Sequence, residues 1–416
     1  MNMSFMNKKI AWYWMPLAVF LAVLITFMST YVGMKVQMHQ AGNNPYLNGD
    51  LYQDPTFSYV RDLVEGNYIG EVPEFDASAA TDRLIEEYIA SLGDPYARYM
   101  NPEEYKAYNS SVQGDLVGIG VQVAYDITSL SIEVLLVMPN SPAESIGLVP
   151  GDLIVAVNGV KVAEIGYNAA ADAIKGEAGT EVTLTVRRKA DGKEVDITTQ
   201  RAHVTALSVA YQMLSDGHTG LIRIFEFNAT TYPQFSAAVT DLQKQGADRL
   251  IFDLRNNPGG QLDSVLSVLS YILPKGSLLI RINDAKGNEE TYSDTEETDH
   301  TLDCPMAVLI NGNTASAAEL FTSCLRDYEK ITIVGEKSFG KGCMQYVYSL
   351  PNGGALTLTT RMYSPPKGEN YDGKGITPHI TASLSEAAAE VHLLKLTEET
   401  DDQLKAAIRS FADSAQ

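Results

Sequence analysis

Met306-Ala307-Val308-Leu309-Ile310-Asn311-Gly312-Asn313-Thr314-Ala315-Ser316-Ala317-Ala318-Glu319-Leu320 is the stretch on which the reading of this chain turns. Met306 to Ile310 is short and wholly apolar, which predicts a buried strand. Asn311 to Thr314 is a turn cluster. Ala315 to Glu319 then opens a helical pattern, with Leu320, Cys324 and Tyr328 on one face. Ser316 therefore falls at a strand-to-helix junction. A hydroxyl there is exposed at a sheet edge, near the positive end of a helix dipole. That placement alone also suits a plain helix cap. Lys341 follows 25 positions later, in Gly340-Lys341-Gly342.

Outward from this stretch, strands and helices alternate. Val204 to Met213, Gly220 to Ile224 and Arg249 to Leu254 read as strands, and Thr231 caps a helix bearing Phe235, Val239 and Leu242. Arg255-Asn256-Asn257-Pro258-Gly259-Gly260 leads into a helix carrying Leu262, Val265, Leu266 and Leu269. Such alternation implies crossovers and α/β layers. Asp284 to Asp303 is polar, acidic and without periodicity, and predicts an exposed loop. Gln345 to Leu350 and Ala355 to Tyr363 predict a hairpin around Asn352-Gly353-Gly354. The tail holds a helix with Leu404, Ile408 and Phe411 on one face.

Upstream, Gly118-Ile119-Gly120-Val121 opens a strand and Ile132 to Met138 forms a second. Ser141-Pro142-Ala143-Glu144 starts a short helix, Pro150-Gly151-Asp152 turns into Leu153 to Val157, and Asn158-Gly159 marks a hairpin. These four motifs, in this order over Val112 to Arg201, resemble a PDZ domain. The resemblance implies that Gly118, Ile119, Gly120 and Val121 form a loop binding the terminal carboxylate of a captured peptide.

The net charge of −21 and the lack of a basic patch exclude a nucleic-acid partner. Three cysteines (Cys304, Cys324 and Cys343) lack metal-ligand spacing, and no metal is expected. Lys8-Lys9 precede 25 residues, Ile10 to Met34, without a charge. A span needs about 20 apolar residues, and Trp12, Tyr13, Trp14 and Tyr31 lie near its ends. This predicts one transmembrane signal anchor with the N-terminus inside; a cleaved signal peptide is the alternative. Both put residues from about 36 onward outside the cytoplasmic membrane. The divisions expected are 1–9 cytoplasmic, 10–34 transmembrane, 35–53 linker, 54–111 helical, 112–201 PDZ, 202–382 catalytic core and 383–416 helical.

The chemistry turns on a motif that fails. Gly335 to Lys341 fits the first seven positions of a phosphate-binding loop. Gly342 then stands where that loop needs Ser or Thr, and a strand follows instead of a helix. Lys341 is thereby left for other work. None of the six histidines (His39, His203, His218, His300, His379 and His392) lies in a catalytic motif, and Ser316 lacks the G-x-S-x-G signature. A lysine made neutral by burial can activate a serine instead.

Four stretches complete the pattern: Asp253 to Gly260, Thr314 to Glu319, Ser338 to Gly342 with Gln345, and Asp372 to Pro378. With Ser91-Leu92-Gly93-Asp94-Pro95-Tyr96-Ala97-Arg98-Tyr99, they resemble the carboxyl-terminal processing, or tail-specific, serine proteases. The likeness covers nearly everything after the linker, and departs from the pattern at Ala318 and His379. It implies a mixed α/β protease core with an inserted PDZ-like β-barrel domain. It implies Ser316 as nucleophile, Lys341 as general base and Gln345 as its orienter. The N–H of Ala317, with that of Gly259 or Gly260, would hold the oxyanion. Asp327 falls where some members have a relay aspartate, and reads equally as an acid near a helix end. The family further implies protein substrates with apolar C-terminal tails, no cofactor, and a homodimer through the terminal helical regions. The other reading is a PDZ-bearing scaffold with an idle protease domain; Ser316, Lys341 and Gln345 are all retained, which an idle domain would not require.

Overall fold

The computed structural model describes residues 59–60, 63–64, 67, 77–294 and 301–413. The expected membrane segment at 10–34 lies outside these, and no helix among the described residues is long and apolar enough to cross a membrane. The chain divides into residues 1–80 and residues 81–416. Ser316, Lys341 and Gln345 all lie in the second unit.

In chain order that unit holds β1 (Arg98–Met100), α1 (Pro102–Gln113), β2 (Asp115–Gly118), β3 (Val121–Asp126), β4 (Ser131–Val137), α2 (Pro142–Ser145), β5 (Leu153–Val157), β6 (Val160–Lys161), α3 (Val162–Ile174), β7 (Glu181–Arg187), β8 (Glu194–Gln200) and β9 (Ala202–Thr205). Then come β10 (Val209–Met213), β11 (Thr219–Ile224), α4 (Thr231–Gln245), β12 (Arg249–Asp253), α5 (Leu262–Ile272), β13 (Leu278–Asp284), β14 (Glu289–Ser293), β15 (Met306–Ile310), α6 (Ala317–Asp327), β16 (Ile331–Gly335), β17 (Cys343–Ser349), β18 (Ala355–Ser364), β19 (Ile380–Thr381), α7 (Glu386–Ala389) and α8 (Asp402–Asp413).

The catalytic core is a six-stranded sheet in the order β10-β11-β12-β15-β16-β19. β11, β12, β15, β16 and β19 run parallel, and β10 is antiparallel at one edge. Parallel strands need both faces covered. Alternate side chains divide accordingly. Ile222, Phe252, Val308 and Ile333 join the core under α4, α5 and α6. Leu221, Ile251, Ala307 and Val334 pack with Leu404, Ala407 and Phe411 of α8. Full burial of each large apolar side chain stabilises by roughly 1.5–3 kcal/mol. A second sheet pairs β17 and β13 with β18, and β14 lies at its edge.

A third sheet, β3-β4-β5-β7-β8 with β6 on β5, closes around its own core of Ile132, Ile154, Leu184 and Val186. It joins the catalytic core through a two-stranded ribbon. β2 leads in, β9 leads out, and Asp115 pairs with Thr205 while Gly118 pairs with Ala202.

Three local expectations are corrected. Glu289 to Ser293, inside the expected loop, is a strand paired antiparallel with β13. All five residues are exposed, so no apolar alternation marks it; Asp284 Oδ1 fixes the turn by accepting from Lys286 N and Asn288 N. The expected strand 204–213 breaks in two because buried Ser208 turns to donate its N–H to Gln234 Oε1. The cap of α4 is Thr230, one residue before Thr231.

Candidate active site

β15 delivers the chain into a turn that ends at Ser316, which adopts φ 55° and ψ −120°. Such a conformation costs a non-glycine residue about 1–3 kcal/mol and persists only where the surroundings over-determine it. They do so here. Thr314 Oγ1 donates to Leu254 O at 2.8 Å, Ala315 N to Asn257 O at 3.0 Å, and Ser316 N to Glu319 Oε2 at 3.0 Å. The G-x-S-x-G sequence is absent, yet the backbone is a strained strand-to-helix elbow of the same kind.

Glu319 is fully buried and is the hub of the site. Its Oε1 accepts from Ser338 Oγ at 2.5 Å and Gly340 N at 2.7 Å, and its Oε2 accepts from Lys341 N at 2.8 Å as well as from Ser316 N. Burial pushes its carboxyl above the ordinary range, and these donors pull against that. The sequence places Glu319 only within the stretch that opens the helix. The Asp372 to Ile376 stretch braces the lysine loop from behind. Asp372 Oδ1 accepts from Gly342 N at 2.9 Å, Gly373 N donates to Gly340 O at 2.8 Å, and Ile376 N donates to Ser338 Oγ at 2.6 Å. A Cβ on Gly340 would lie 2.7 Å from Gly375 N, so only glycine fits there.

Ser316, Lys341 and Gln345 line one cavity of about 550 Å³, together with Tyr96 and Tyr363. Lys341 is half-buried there; burial lowers its pKa, opposed by the charges of Cys343, Asp94 and Asp372. Its Nζ rests 4.4 Å from the centroid of the Tyr96 ring. Among the described residues no hydrogen bond joins Lys341 Nζ to Ser316 or Gln345. The Gln345 amide instead donates to Thr359 Oγ1 at 3.0 Å and Cys343 Sγ at 3.4 Å. Tyr363, which the sequence did not single out, donates its hydroxyl to Lys341 O at 2.8 Å and lies within hydrogen-bonding reach of the Ser316 side chain.

The glycine turn presses against the elbow. A Cβ on Gly259 would lie 2.7 Å from Ser316 Cβ and 2.8 Å from Ala317 N. Gly259 N, however, donates to Asn257 Oδ1 at 2.8 Å. Of the two glycines offered as alternatives, Gly260 keeps an unengaged N–H. Its N–H and that of Ala317 have no acceptor among the described residues.

Asp327 does not line this cavity. Its carboxylate accepts from Arg326 Nη2, Lys367 N and Gly368 N, and so fastens the loop after β18. The three cysteines are free thiols. Cys324 is buried in the core, and Cys343 is buried at the cavity wall. Among the described residues no cluster of His, Cys, Asp and Glu is arranged to hold a metal ion.

A separate groove of about 390 Å³ lies in the β3–β8 unit, between β3 and α3. Gly118, Ile119, Gly120 and Val121 line it at one end, and Val123, Tyr167 and Ala171 extend its apolar wall. β3 is an edge strand, open on its groove side. Gly120 has φ 80°, and a Cβ there would collide with Ser141 Cβ. The N–H groups of Ile119 and Gly120 have no acceptor among the described residues.

Fold and cavity together define a serine-type hydrolytic site on an α/β scaffold carrying a PDZ-like unit. Comparison with known proteins gives the same class. The profile of peptidase family S41 matches residues 218–382, and that of a PDZ domain matches residues 133–188. A probable CtpA-like serine protease of Staphylococcus epidermidis is 31% identical over 362 residues, 87% of this chain and 71% of the relative. A protein of the same description from Staphylococcus aureus is 34% identical over 305 residues, 73% of this chain and 60% of the relative. A crystal structure of a putative S41 protease from Bacteroides fragilis shares the fold with TM-score 0.57 at 17% identity, over 83% of this chain and 92% of that one. The chain belongs to peptidase family S41 and is a serine-type C-terminal processing peptidase.

Proposed function

We propose that the chain is an endopeptidase with a serine–lysine pair, anchored in the cell membrane with its catalytic unit outside the cytoplasm. Its substrates are proteins captured by apolar C-terminal tails. The observation that carries the chemistry is that one buried carboxylate, Glu319, holds the backbones of Ser316 and Lys341 beside a shared cavity.

Ser316 Oγ attacks the scissile carbonyl carbon as its proton passes to neutral Lys341 Nζ. The oxyanion is met by the free N–H groups of Ala317 and Gly260. The intermediate collapses with cleavage of the C–N bond, and Lys341 returns the proton to the leaving amine. Water then attacks the acyl-enzyme, giving a proton to Lys341. When the ester bond breaks, that proton returns to Ser316 Oγ and the new carboxyl terminus leaves. Gln345 turns from Thr359 to orient Lys341 in the loaded site. Capture adds the tail as a strand on the open edge of β3, with its carboxylate at Ile119 N and Gly120 N.

Incubation with an unfolded model protein tests this. Wild type degrades it and Ser316→Ala does not; equal degradation would overturn Ser316 as nucleophile, and no degradation by either would leave the scaffold reading. The uncharged run Ile10 to Met34 supports the anchor. The full chain is expected to stay with membranes through an alkaline wash, and a chain beginning at residue 36 to wash free. Sedimentation of the shorter chain tests the proposed homodimer.

A further inference from the structure

We infer that Tyr96 is a positioning residue for Lys341: its ring face receives the ammonium group and fixes the place and basicity of the amino group beside Ser316. The inference rests on the reading of Lys341 as the base.

Lys341 Nζ stands 4.4 Å from the centroid of the Tyr96 ring, well inside the range at which an aromatic face attracts a cation. Both side chains line the cavity that contains Ser316. Among the described residues no hydrogen bond joins a polar side chain to the ammonium. The Gln345 amide faces Thr359 and Cys343, and the Tyr363 hydroxyl donates to Lys341 O. The ring itself is fixed. Tyr96 N donates to Asp94 Oδ1 at 2.9 Å, and Asp94 also reaches Thr359, the same residue that accepts from Gln345. One short turn, Asp94-Pro95-Tyr96, thus places both the ring and an acid that anchors the strand of Thr359.

The chemistry gives the contact a purpose. Neutral Lys341 takes the proton of Ser316 and becomes a cation in a half-buried cavity. Burial penalises that cation, and an aromatic face offsets the penalty without adding a full negative charge. The titratable and charged groups facing Lys341 are Cys343 from β17, Asp94 from the turn before β1 and Asp372 from the loop before β19. Arg98 lines the same cavity, and Glu319 is held on the backbone side. None of these is a carboxylate bonded to Nζ. The ring is the direct contact of the ammonium.

The test is the acid limb of kcat/KM for the full chain acting on a peptide substrate. Tyr96→Phe keeps a ring and is expected to keep the wild-type limb. Tyr96→Leu removes the ring and is expected to move the limb to lower pH by roughly half to one unit, because the protonated lysine loses its stabilisation. An unmoved limb in Tyr96→Leu overturns the inference. Should that variant fail to fold, successive fluorination of phenylalanine at position 96 keeps the shape and weakens the ring face. It should move the limb stepwise in the same direction, and no movement overturns the inference. Lys341→Ala separates the two readings. If it retains activity, the base assignment is wrong. If it is inactive and the limb ignores the ring, only the role of Tyr96 fails.

Discussion

Glu319 reaches back one helical turn to Ser316 and accepts its N–H at 3.0 Å, with the oxygen that also accepts the N–H of Lys341 at 2.8 Å. Ser316 and Lys341 come from different loops, and one carboxylate sets the distance between them. Replacing Glu319 by Ala leaves buried donors unmet at Ser316, Gly340 and Lys341. Each costs about 1–3 kcal/mol, so urea unfolding should show a loss of at least ~3 kcal/mol. The milder Glu319→Gln is expected to fold and to lower kcat by on the order of 100-fold with little change in KM, as misplacement of reacting groups does. A Gln variant with wild-type kcat would remove Glu319 from the positioning of the pair.

Burial lowers the Lys341 pKa, and only the neutral amine can accept the Ser316 proton. Activity should therefore rise with pH along a single-proton limb whose midpoint lies below the ordinary lysine value of about 10.4. A limb at or above that value would contradict the burial. Salt should move it little, since a half-buried amine is poorly screened.

Arg255 is buried against Asp253 and Asp401, with Oδ2–Nη2 distances of 2.8 and 2.7 Å. Burial pushes Asp253 up, but Arg255 and Arg223 pull it down further, leaving it well below the usual carboxylate range. A depressed carboxyl stabilises the fold above its unfolded pKa of about 3.9, and that contribution is lost as pH falls through the folded value. Arg255→Met leaves Asp401 without its cation and Asp253 with Arg223 alone, and is expected to cost about 3–5 kcal/mol at neutral pH. The deficit should shrink on acidification toward pH 3, as read from denaturant midpoints across that range.

Ala171 lines the groove beside β3. Ala171→Glu places a charge where an apolar tail would lie. It is expected to weaken binding of a labelled peptide with an apolar, free C-terminus by at least about tenfold, or 1.4 kcal/mol, in fluorescence anisotropy. Cleavage of a short tailless peptide should be unchanged. An amidated peptide should bind wild type as poorly as the variant binds the free acid. Equal binding of acid and amide would place capture elsewhere.

The buried parallel strands were the most legible part of the fold, because Met306 to Ile310 is an unbroken apolar run and Leu250 to Phe252 a shorter one. Ser316 was legible as a junction, and Lys341 as a lysine that a phosphate loop had no use for. The strain at Ser316 was not legible, since φ 55° on a serine is imposed by contacts from Asn257, Leu254 and Glu319, two of them some 60 residues away in sequence. The same holds for Glu319. An acid in a first helical turn usually faces solvent, and only the folded chain brings Ser338 and Gly340 to it. Gly259 looked equivalent to Gly260 until Asn257 claimed its amide. β14 escaped because an exposed edge strand has no apolar face to betray its period.

The ribbon of β2 and β9 has one more consequence. The chain leaves the catalytic core at Asp115 and returns at Thr205, its pairing partner, and neighbouring strands lie only about 5 Å apart. The PDZ domain hangs from two adjacent points, like a cartridge on a single mount. A short turn joining Gly118 to Ala202 would span the gap without stretching the core. A different PDZ domain could be fitted between the same two residues, leaving the spacing of Ser316 and Lys341 untouched.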